Sequence, residues 1–351
     1  MIIKKLFDKN RTNGNIYKLK CNNVLIKMIN LDQKDKRILI ELIKNSRQSN
    51  SQIAKKIGLS KQAVGYRIDN LLKNKVITGF YCVIDTNKIG YNFYRLALKL
   101  KNTGIKKEKE IIPYLKGKKN IAWIIKTRGK WDLAIGLWCK SILEFEEILG
   151  NFLNKFNQFI EEKYSSIAFQ IYDLGNRFIL NHNITKIELN IEEKKEKVDK
   201  IGMNILSELS LNARENIITL SKKIKISPRL LIYRIKKLEK NNIIRAYRPI
   251  LNFEKFGLTY YKLFLTLNQK NSKITKELED FLEKNKQVIY TTKSFGSYDF
   301  EFECLFQKDL ELFQFIDKIR ETFPDLITNL EISIFEKVFK QSFFPNSLET
   351  S

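Results

Sequence analysis

Residues 38–90, ILIELIKNSRQSNSQIAKKIGLSKQAVGYRIDNLLKNKVITGFYCVIDTNKIG, return in altered form at 205–257 as ILSELSLNARENIITLSKKIKISPRLLIYRIKKLEKNNIIRAYRPILNFEKFG. Extending the match outward, residues 31–100 align with 198–267 at a constant offset of 167 without a gap, with 24 identities in 70 positions. Asp32/Asp199, Arg47/Arg214, Ser60/Ser227, Tyr66-Arg67-Ile68/Tyr233-Arg234-Ile235 and Gly90/Gly257 are among them. The same offset lays Gly129-Lys130-Trp131-Asp132 on Gly296-Ser297-Tyr298-Asp299, so the duplicated unit runs well beyond the first stretch. A period this long is not that of a solenoid. It describes two copies of a two-part module.

The first part of each copy is helical. Ile38, Leu39, Leu42 and Ile43 make one apolar stripe, Ile53, Ala54 and Ile57 a short second helix stopped by Gly58, and Val64, Ile68 and Leu71 the buried face of a third. Ser60 reads as the N-cap of that third helix. In the second copy Ser227 caps and Pro228 takes the first turn, where its missing N–H costs nothing. Leu231, Ile235 and Leu238 repeat the stripe. A β-prone run follows each third helix, Val76–Phe80 and Ile243–Tyr247, and reads as a small hairpin ending at Gly90 or Gly257. Three short helices and a hairpin make a winged helix-turn-helix pattern. The second part alternates strand and helix in the order βαββαβ, which predicts a ferredoxin-like sandwich on an antiparallel sheet.

The expected fold class is therefore α+β, two winged helix-turn-helix domains alternating with two ferredoxin-like βαββαβ sandwich domains. The expected boundaries are a basic extension 1–30, a first winged helix-turn-helix 31–92, a first sandwich 93–174 and a linker 175–197. A second winged helix-turn-helix 198–259, a second sandwich 260–340 and a tail 341–351 complete the chain of 351 residues.

Composition narrows the function. Apolar residues are 43% of the chain, enough for real cores. The longest apolar run, Leu133–Cys139, is far short of a membrane span, and residues 1–15 hold no apolar run long enough for a signal peptide. The expected location is cytoplasmic. Cys21, Cys82, Cys139 and Cys304 are widely spaced, which argues against a disulfide framework and a Cys-based zinc site. The single histidine, His182, argues against His-rich metal sites and histidine catalysis. No Gly-x-Ser-x-Gly, Walker-type, HExxH or GxGxxG motif occurs. No metal, cofactor or catalytic residue is expected.

The net charge of +25 has two readings, since Lys outnumbers Arg 51 to 13, a skew that AT-rich coding also produces. Its distribution decides between them. Residues 55–78 carry net +5 and residues 222–245 net +8, whereas residues 129–169 carry −2 and residues 296–336 carry −7. Uniform bias does not split charge this way; a localised basic face that neutralises phosphates does. An α-helix fits the major groove of duplex DNA and reads it with its N-terminal residues. The base-edge candidates are Lys61, Gln62, Tyr66, Arg229 and Tyr233, and the phosphate candidates Arg67, Lys73, Arg234 and Lys237, with Asn70 on the same face. Arg67 and Arg234 have an equal alternative, pinning their helix by a salt bridge to Asp35 or Glu41, or to Glu208. The two helices differ at most exposed positions, which predicts unlike half-sites.

The quoted stretches resemble the DNA-binding domain of the Lrp/AsnC (feast/famine) regulators, the first copy more closely than the second. KTRGKWDLAIGL and KSFGSYDFEFEC resemble that family's Gly-x-aromatic-Asp signature in its ligand-sensing αβ sandwich. The resemblance covers about residues 31–172 and 198–340. It implies a DNA-binding transcriptional regulator that dimerises through packed sheets, with an amino-acid effector near the turn of Gly129, Trp131 and Asp132 and that of Gly296, Tyr298 and Asp299. The alternative for those six residues is plain hairpin chemistry, with Gly at positive φ and Asp capping the turn. Family members usually carry one module per chain, so two modules here suggest an internal pseudo-dimer tethered by Gly175–Lys197, with further homo-oligomers through the sandwich domains. Two other readings compete. Tetrapyrrole (sirohaem) decarboxylases related to the family share the tandem architecture but use histidine and arginine in the sandwich, whereas His182 lies in the linker. A non-specific chromatin-architectural protein that binds DNA or RNA would show weak sequence preference and a steep salt dependence.

Overall fold

In the computed structural model, residues 18–21, 24–27, 31–101, 104–180, 184–191, 195–268 and 272–345 are described. His182 and most of the basic segment 1–30 lie outside them, apart from two short paired strands, β1 (Lys18–Cys21) and β2 (Val24–Lys27).

The first head is α1 (Gln33–Lys44), α2 (Asn50–Ile57) and α3 (Lys61–Lys73), followed by β3 (Ile77–Ile84). Each helix starts at a side-chain cap: the Asp32 carboxylate accepts from the Asp35 N–H, Ser49 forms a reciprocal box with Gln52, and Ser60 accepts from the Ala63 N–H. The first sandwich is β4 (Asn92–Leu100), α4 (Gly104–Lys116), β5 (Ile121–Gly129), β6 (Leu133–Cys139), α5 (Ile142–Phe156) and β7 (Ile160–Asp173). The connecting stretch is more than a tether, because it forms α6 (Arg177–Leu180) and β8 (Ile187–Asn190), and β8 pairs with β7. The second head is α7 (Lys200–Leu211), α8 (Ile217–Ile224), α9 (Pro228–Lys240) and β9 (Ile244–Leu251). The second sandwich is β10 (Thr259–Leu267), α10 (Ser272–Lys284), β11 (Val288–Phe295), β12 (Phe300–Phe306), α11 (Asp309–Thr322) and β13 (Ile327–Gln341).

The expected hairpins do not form. β3 does not fold back on its own copy; it pairs antiparallel with β9 of the other, Phe80 opposite Pro249 and Cys82 opposite Tyr247. After Ile84 the chain leaves through a 3-10 turn into β4, so no partner strand follows within the copy. In a two-stranded ladder both strands are edges, which tolerates Pro249 without its N–H. The consequence is one core under both heads, in which Ile38, Leu42 and Ile68 pack in the same cluster as Ile205, Leu209 and Ile235.

The sandwiches also merge. Each copy has the expected antiparallel order, β5-β6-β4-β7 and β11-β12-β10-β13. The last strands overrun their own sheets. β7 pairs with β4 through its first half and with β11 through its second, and β13 does the same with β10 and then β5. The eight strands close into a barrel, with β8 as an outer addition. The outer faces of the sheets pack on their helices, for example Leu96, Ile135 and Phe152 in the first copy and Leu263, Phe302 and Phe315 in the second. The inner faces meet each other. The end of the chain joins the two layers: Phe344 is buried in the head core and Phe343 stacks on Tyr81 of β3 at 3.8 Å. Opposite Tyr81 in the ladder, Arg248 makes a buried ion pair with Asp173 at 3.0 Å, which ties β9 to β7.

Candidate nucleic-acid interface

The third helix of each head, α3 or α9, buries one stripe and turns the rest to solvent. Val64, Ile68 and Leu71 are buried in α3, and Leu231, Ile235 and Leu238 in α9. On the open side, Lys61, Gln62, Tyr66 and Lys73 are exposed, as are Arg229, Tyr233 and Lys237. The two tyrosines stand at equivalent positions and are 69% and 62% exposed, although an aromatic side chain gains most by burial. Asn70 is half-buried, and its carbonyl accepts from the Asn74 amide at 2.9 Å.

Arg67 and Arg234 are placed differently. The Arg67 guanidinium donates to Asp32 at 2.7 Å and to Asp35 at 2.8 Å, and Arg234 donates to Asp199 at 2.7 Å. Asp32 and Asp199 are also the N-caps of α1 and α7, so each arginine fastens the third helix to the start of the first. The Asp35 backbone N–H and then Arg67 hold the Asp32 carboxyl below the usual carboxylate range, and the Gly202 N–H and Arg234 do the same to Asp199. Of the salt-bridge partners expected from sequence, Asp35 is engaged. Glu41 instead pairs with Lys44 and Lys56, and Glu208 with Lys223, because each lies along the first helix nearer to those lysines. The caps themselves were the partners missed, although Asp32/Asp199 and Arg67/Arg234 are identities of the repeat.

The heads differ around this shared skeleton. Where α2 begins Ser49-Asn50-Ser51, α8 begins Asn216-Ile217-Ile218, and Ala63 and Gly65 of α3 correspond to Leu230 and Ile232 of α9. Ile218, Leu230 and Ile232 are exposed.

The Gly-x-aromatic-Asp turns lie on the seam of the barrel. Trp131 and Tyr298 are buried with Ala97, Tyr164 and Phe264, drawn from both copies. The Tyr298 hydroxyl donates to Glu331. The Asp132 carboxylate accepts from the Leu100 N–H at 2.8 Å and from Lys99 at 3.2 Å, and Asp299 accepts from the Leu267 N–H at 2.9 Å. Gly129 sits at φ +107°, and a Cβ there would collide with the Ile332 carbonyl of the other copy. At Gly296 a Cβ would lie 2.9 Å from the Ser165 carbonyl, again across the seam. The turns therefore carry a structural duty, with the glycines admitting the opposite strand and the aspartates tying the end of β4 or β10.

The barrel lumen also holds charge. Arg95 of β4 donates to Glu301 of β12 at 2.5 Å, and Lys262 of β10 lies 2.9 Å from both Glu301 and Glu303. Tyr164 donates to the other Glu301 oxygen at 3.1 Å. Arg95, Lys262 and Glu301 are each buried, and two positive and two negative groups cancel. Burial alone would raise the Glu301 carboxyl, but Arg95 and Lys262 outweigh it and hold it below its ordinary value. Among the described residues, no group of three or more His, Cys, Asp or Glu side chains is placed to hold a metal ion. No helix among them is long and apolar enough to cross a membrane.

Comparisons with known proteins match both halves. A family model described as winged helix-turn-helix DNA-binding matches residues 31–78 and 198–245. The HTH-type transcriptional regulator Ptr1 of Methanocaldococcus jannaschii is 32% identical over 124 residues, 35% of this chain and 79% of that protein. An HTH-type transcriptional regulator of Mycobacterium tuberculosis is 43% identical over 65 residues, 18% of this chain and 44% of its own length. The leucine-responsive regulatory protein of Haemophilus influenzae is likewise 43% identical over 65 residues, which span 39% of that protein. In architecture the chain is similar to the crystal structure of the siroheme decarboxylase NirDL, with a TM-score of 0.63 over 89% of this chain and 94% of that one at 11% identity. At that identity the likeness speaks for the fold alone.

Proposed function

Because the chain belongs to the Lrp/AsnC family of helix-turn-helix transcriptional regulators, we propose that it is a sequence-specific DNA-binding regulator in which one chain supplies both halves of the family's usual dimer. The observation that carries this is the shared head core, laced by β3 and β9, which presents α3 and α9 as a fixed pair of basic reading helices. Lys61, Gln62 and Tyr66, with Arg229 and Tyr233, read base edges in this account. Lys73 and Lys237 neutralise phosphates, while Arg67 and Arg234 chiefly set the pose of their helices. The protein then works beside the chromosome, in the cytoplasm. Genome-wide footprinting tests the reading: a defined footprint upstream of particular genes supports it, and uniform coating of DNA with a steep salt slope points to an architectural protein instead.

The sandwich barrel is the natural seat of effector response. An amino acid acting at the turns of Gly129 and Gly296 would work on the seam, since Trp131, Tyr298, Asp132 and Asp299 are already engaged there. Thermal-shift titration with the free amino acids tests this, and no stabilisation by any of them removes it. The first turns of α5 and α11 expose Leu143 and Leu310 at equivalent positions, which favours higher oligomers through the sandwiches. Size-exclusion light scattering decides: a monomer or an assembly that disperses on dilution fits the pseudo-dimer, and an obligate octamer does not.

The decarboxylase reading draws on the shared architecture. Against it stands the buried sandwich arginine Arg95, already neutralised by Glu301. Ultraviolet–visible titration with sirohaem tests it, a tight and specific spectral change being the result that would revive it.

A further inference from the structure

The most symmetric feature of the molecule is a contact that the DNA-reading residues do not use. Between α1 and α2 the first copy turns through Ser46-Arg47-Gln48, and between α7 and α8 the second turns through Ala213-Arg214-Glu215. Each turn docks on the strand that crosses over from the other head. The Ser46 N–H donates to the Tyr247 carbonyl at 2.9 Å, and the Ala213 N–H donates to the Phe80 carbonyl at 3.0 Å. The arginines then exchange places. Arg47 donates to the carbonyls of Ala213 at 2.7 Å and Glu215 at 3.3 Å. Arg214 donates to the carbonyls of Ser46 and, at 3.1 Å, Gln48, and its second nitrogen donates to the Asn50 side chain at 2.9 Å. Arg47 lies over the Tyr247 ring and Arg214 over the Phe80 ring.

The chemistry is unusual in one respect. Two like charges are brought together and held on backbone carbonyls. Burial and the neighbouring Arg47 both depress the Arg214 pKa. In each arginine one guanidinium nitrogen serves two carbonyls while the face lies over a ring, and in Arg214 the second nitrogen reaches Asn50 as well. The rigid planar group holds these partners at once, a geometry that a compact ammonium on a flexible stem does not fix. The clasp also lies at a sensitive place. Asn50 is the first residue of α2, and the turn ending at Glu215 leads straight into the Asn216 cap of α8, the helices that set the approach of α3 and α9.

We propose that Arg47 and Arg214 are positioning residues that set the separation and rotation of the two recognition helices, and through them the number of base pairs allowed between the half-sites of a duplex DNA target. The second clause rests on the regulator reading; the first does not. Two unlike reading helices on one frame then call for a bipartite site of fixed spacing.

The test has two arms on the full chain. In the first, spin labels are placed at Lys73→Cys and Lys240→Cys in a Cys21→Ser background, and the inter-label distance is measured by pulsed electron resonance without DNA. The distribution is narrow with the native arginines and widens at least about twofold in Arg47→Lys and in Arg214→Lys, which keep the charge and lose the fork. An unchanged width in both variants overturns the proposal. In the second arm, a site selected from random duplex DNA with the native protein is lengthened by about five base pairs, half a helical turn. The native protein loses about tenfold or more in affinity on that insertion, the scale of losing one or more good base contacts. The lysine variants keep the same half-site preferences but lose only about threefold or less on insertion. An undiminished insertion penalty in the variants overturns the spacing role. Because the first arm needs no DNA, failure of the clasp is distinct from failure of the regulator reading.

Discussion

Where the heads meet, equivalent positions of the two copies do the holding, the identical Arg47 and Arg214 among them. Arg47 and Arg214 make corresponding carbonyl bonds in opposite directions, Arg214 adding one to Asn50, and β3 and β9 pair across the same axis. Where the sandwiches meet, the holding charges are shared unequally. Arg95 and Lys262 occupy equivalent positions, but both carboxylates, Glu301 and Glu303, come from the second copy, and the first has Ala134 and Gly136 in their places. A symmetric pairing of two first sandwiches would bury two arginines with no carboxylate. A pairing of two second sandwiches would bury four carboxylates against two lysines. Either leaves uncompensated charge in a closed lumen, which is costly. The symmetric contact thus fixes geometry, while the asymmetric one discriminates in favour of unlike partners, as suits two copies on one chain.

The comparison can be broken most forcefully at Glu301. Glu301→Ala strands Arg95 and Lys262 with Glu303 as their remaining carboxylate, and is expected to lower stability by about 3–5 kcal/mol in urea unfolding. A loss under about 1 kcal/mol would show that the lumen charges are not coupled. The same residue gives a pH signature. Its folded pKa lies below the unfolded value of about 4.5, so the folded chain binds fewer protons between the two. The stability it contributes is fully present above that value and is lost as pH falls through the folded one. Between about pH 7 and about pH 3 the wild type should therefore lose more stability than Glu301→Gln, and urea midpoints at the two pH values check this.

Next come the seam glycines. Gly129→Ala combines a strained φ with a clash on the Ile332 carbonyl and should cost about 1–3 kcal/mol, seen as a lowered melting temperature. A neutral result would mean that the seam opens without penalty. On the reading helices, Tyr66→Ala and Tyr233→Ala should each weaken specific DNA binding by roughly 1–3 kcal/mol with little change in folding, measured by fluorescence anisotropy on the selected site. Unchanged affinity for both would remove these helices as readers. The smallest effect belongs to the pins. Arg67→Ala and Arg234→Ala each break partly exposed ion pairs, worth about 1 kcal/mol or less in urea unfolding. Arg67 should be the costlier of the two, since it bridges Asp32 and Asp35 where Arg234 has Asp199 alone.

Much of this was legible in the sequence, and the illegible part has a common physical cause. The caps Ser60 and Ser227, the helix stripes and the βαββαβ order are local patterns, and they appear as the repeat and its periodicity announce them. What could not be seen is every pairing between copies. The run Val76–Phe80 looks like half of a hairpin because strand propensity says nothing about which distant strand will accept it. The overrun of β7 and β13 is illegible for the same reason: Phe335–Gln341 has little alternation, and its partner is β5 of the other copy. Arg47/Arg214 and Asp32/Asp199 stood out as identities without a stated role, since the role is a contact across the pseudo-dimer or between helices. The exposed tyrosines of α3 and α9 were legible because they stand off the apolar stripe, on the opposite face of each helix.

The central claim is that one chain reads one bipartite DNA site with two unlike heads. Selection of random duplex DNA by the full chain, followed by native mass spectrometry of the selected complex, tests it most directly. The account predicts a non-palindromic motif of two unlike halves at a single spacing, with each motif held by one chain or by a closed assembly that carries one motif per chain. A palindromic motif bound by two chains, each contributing the same head, would contradict it.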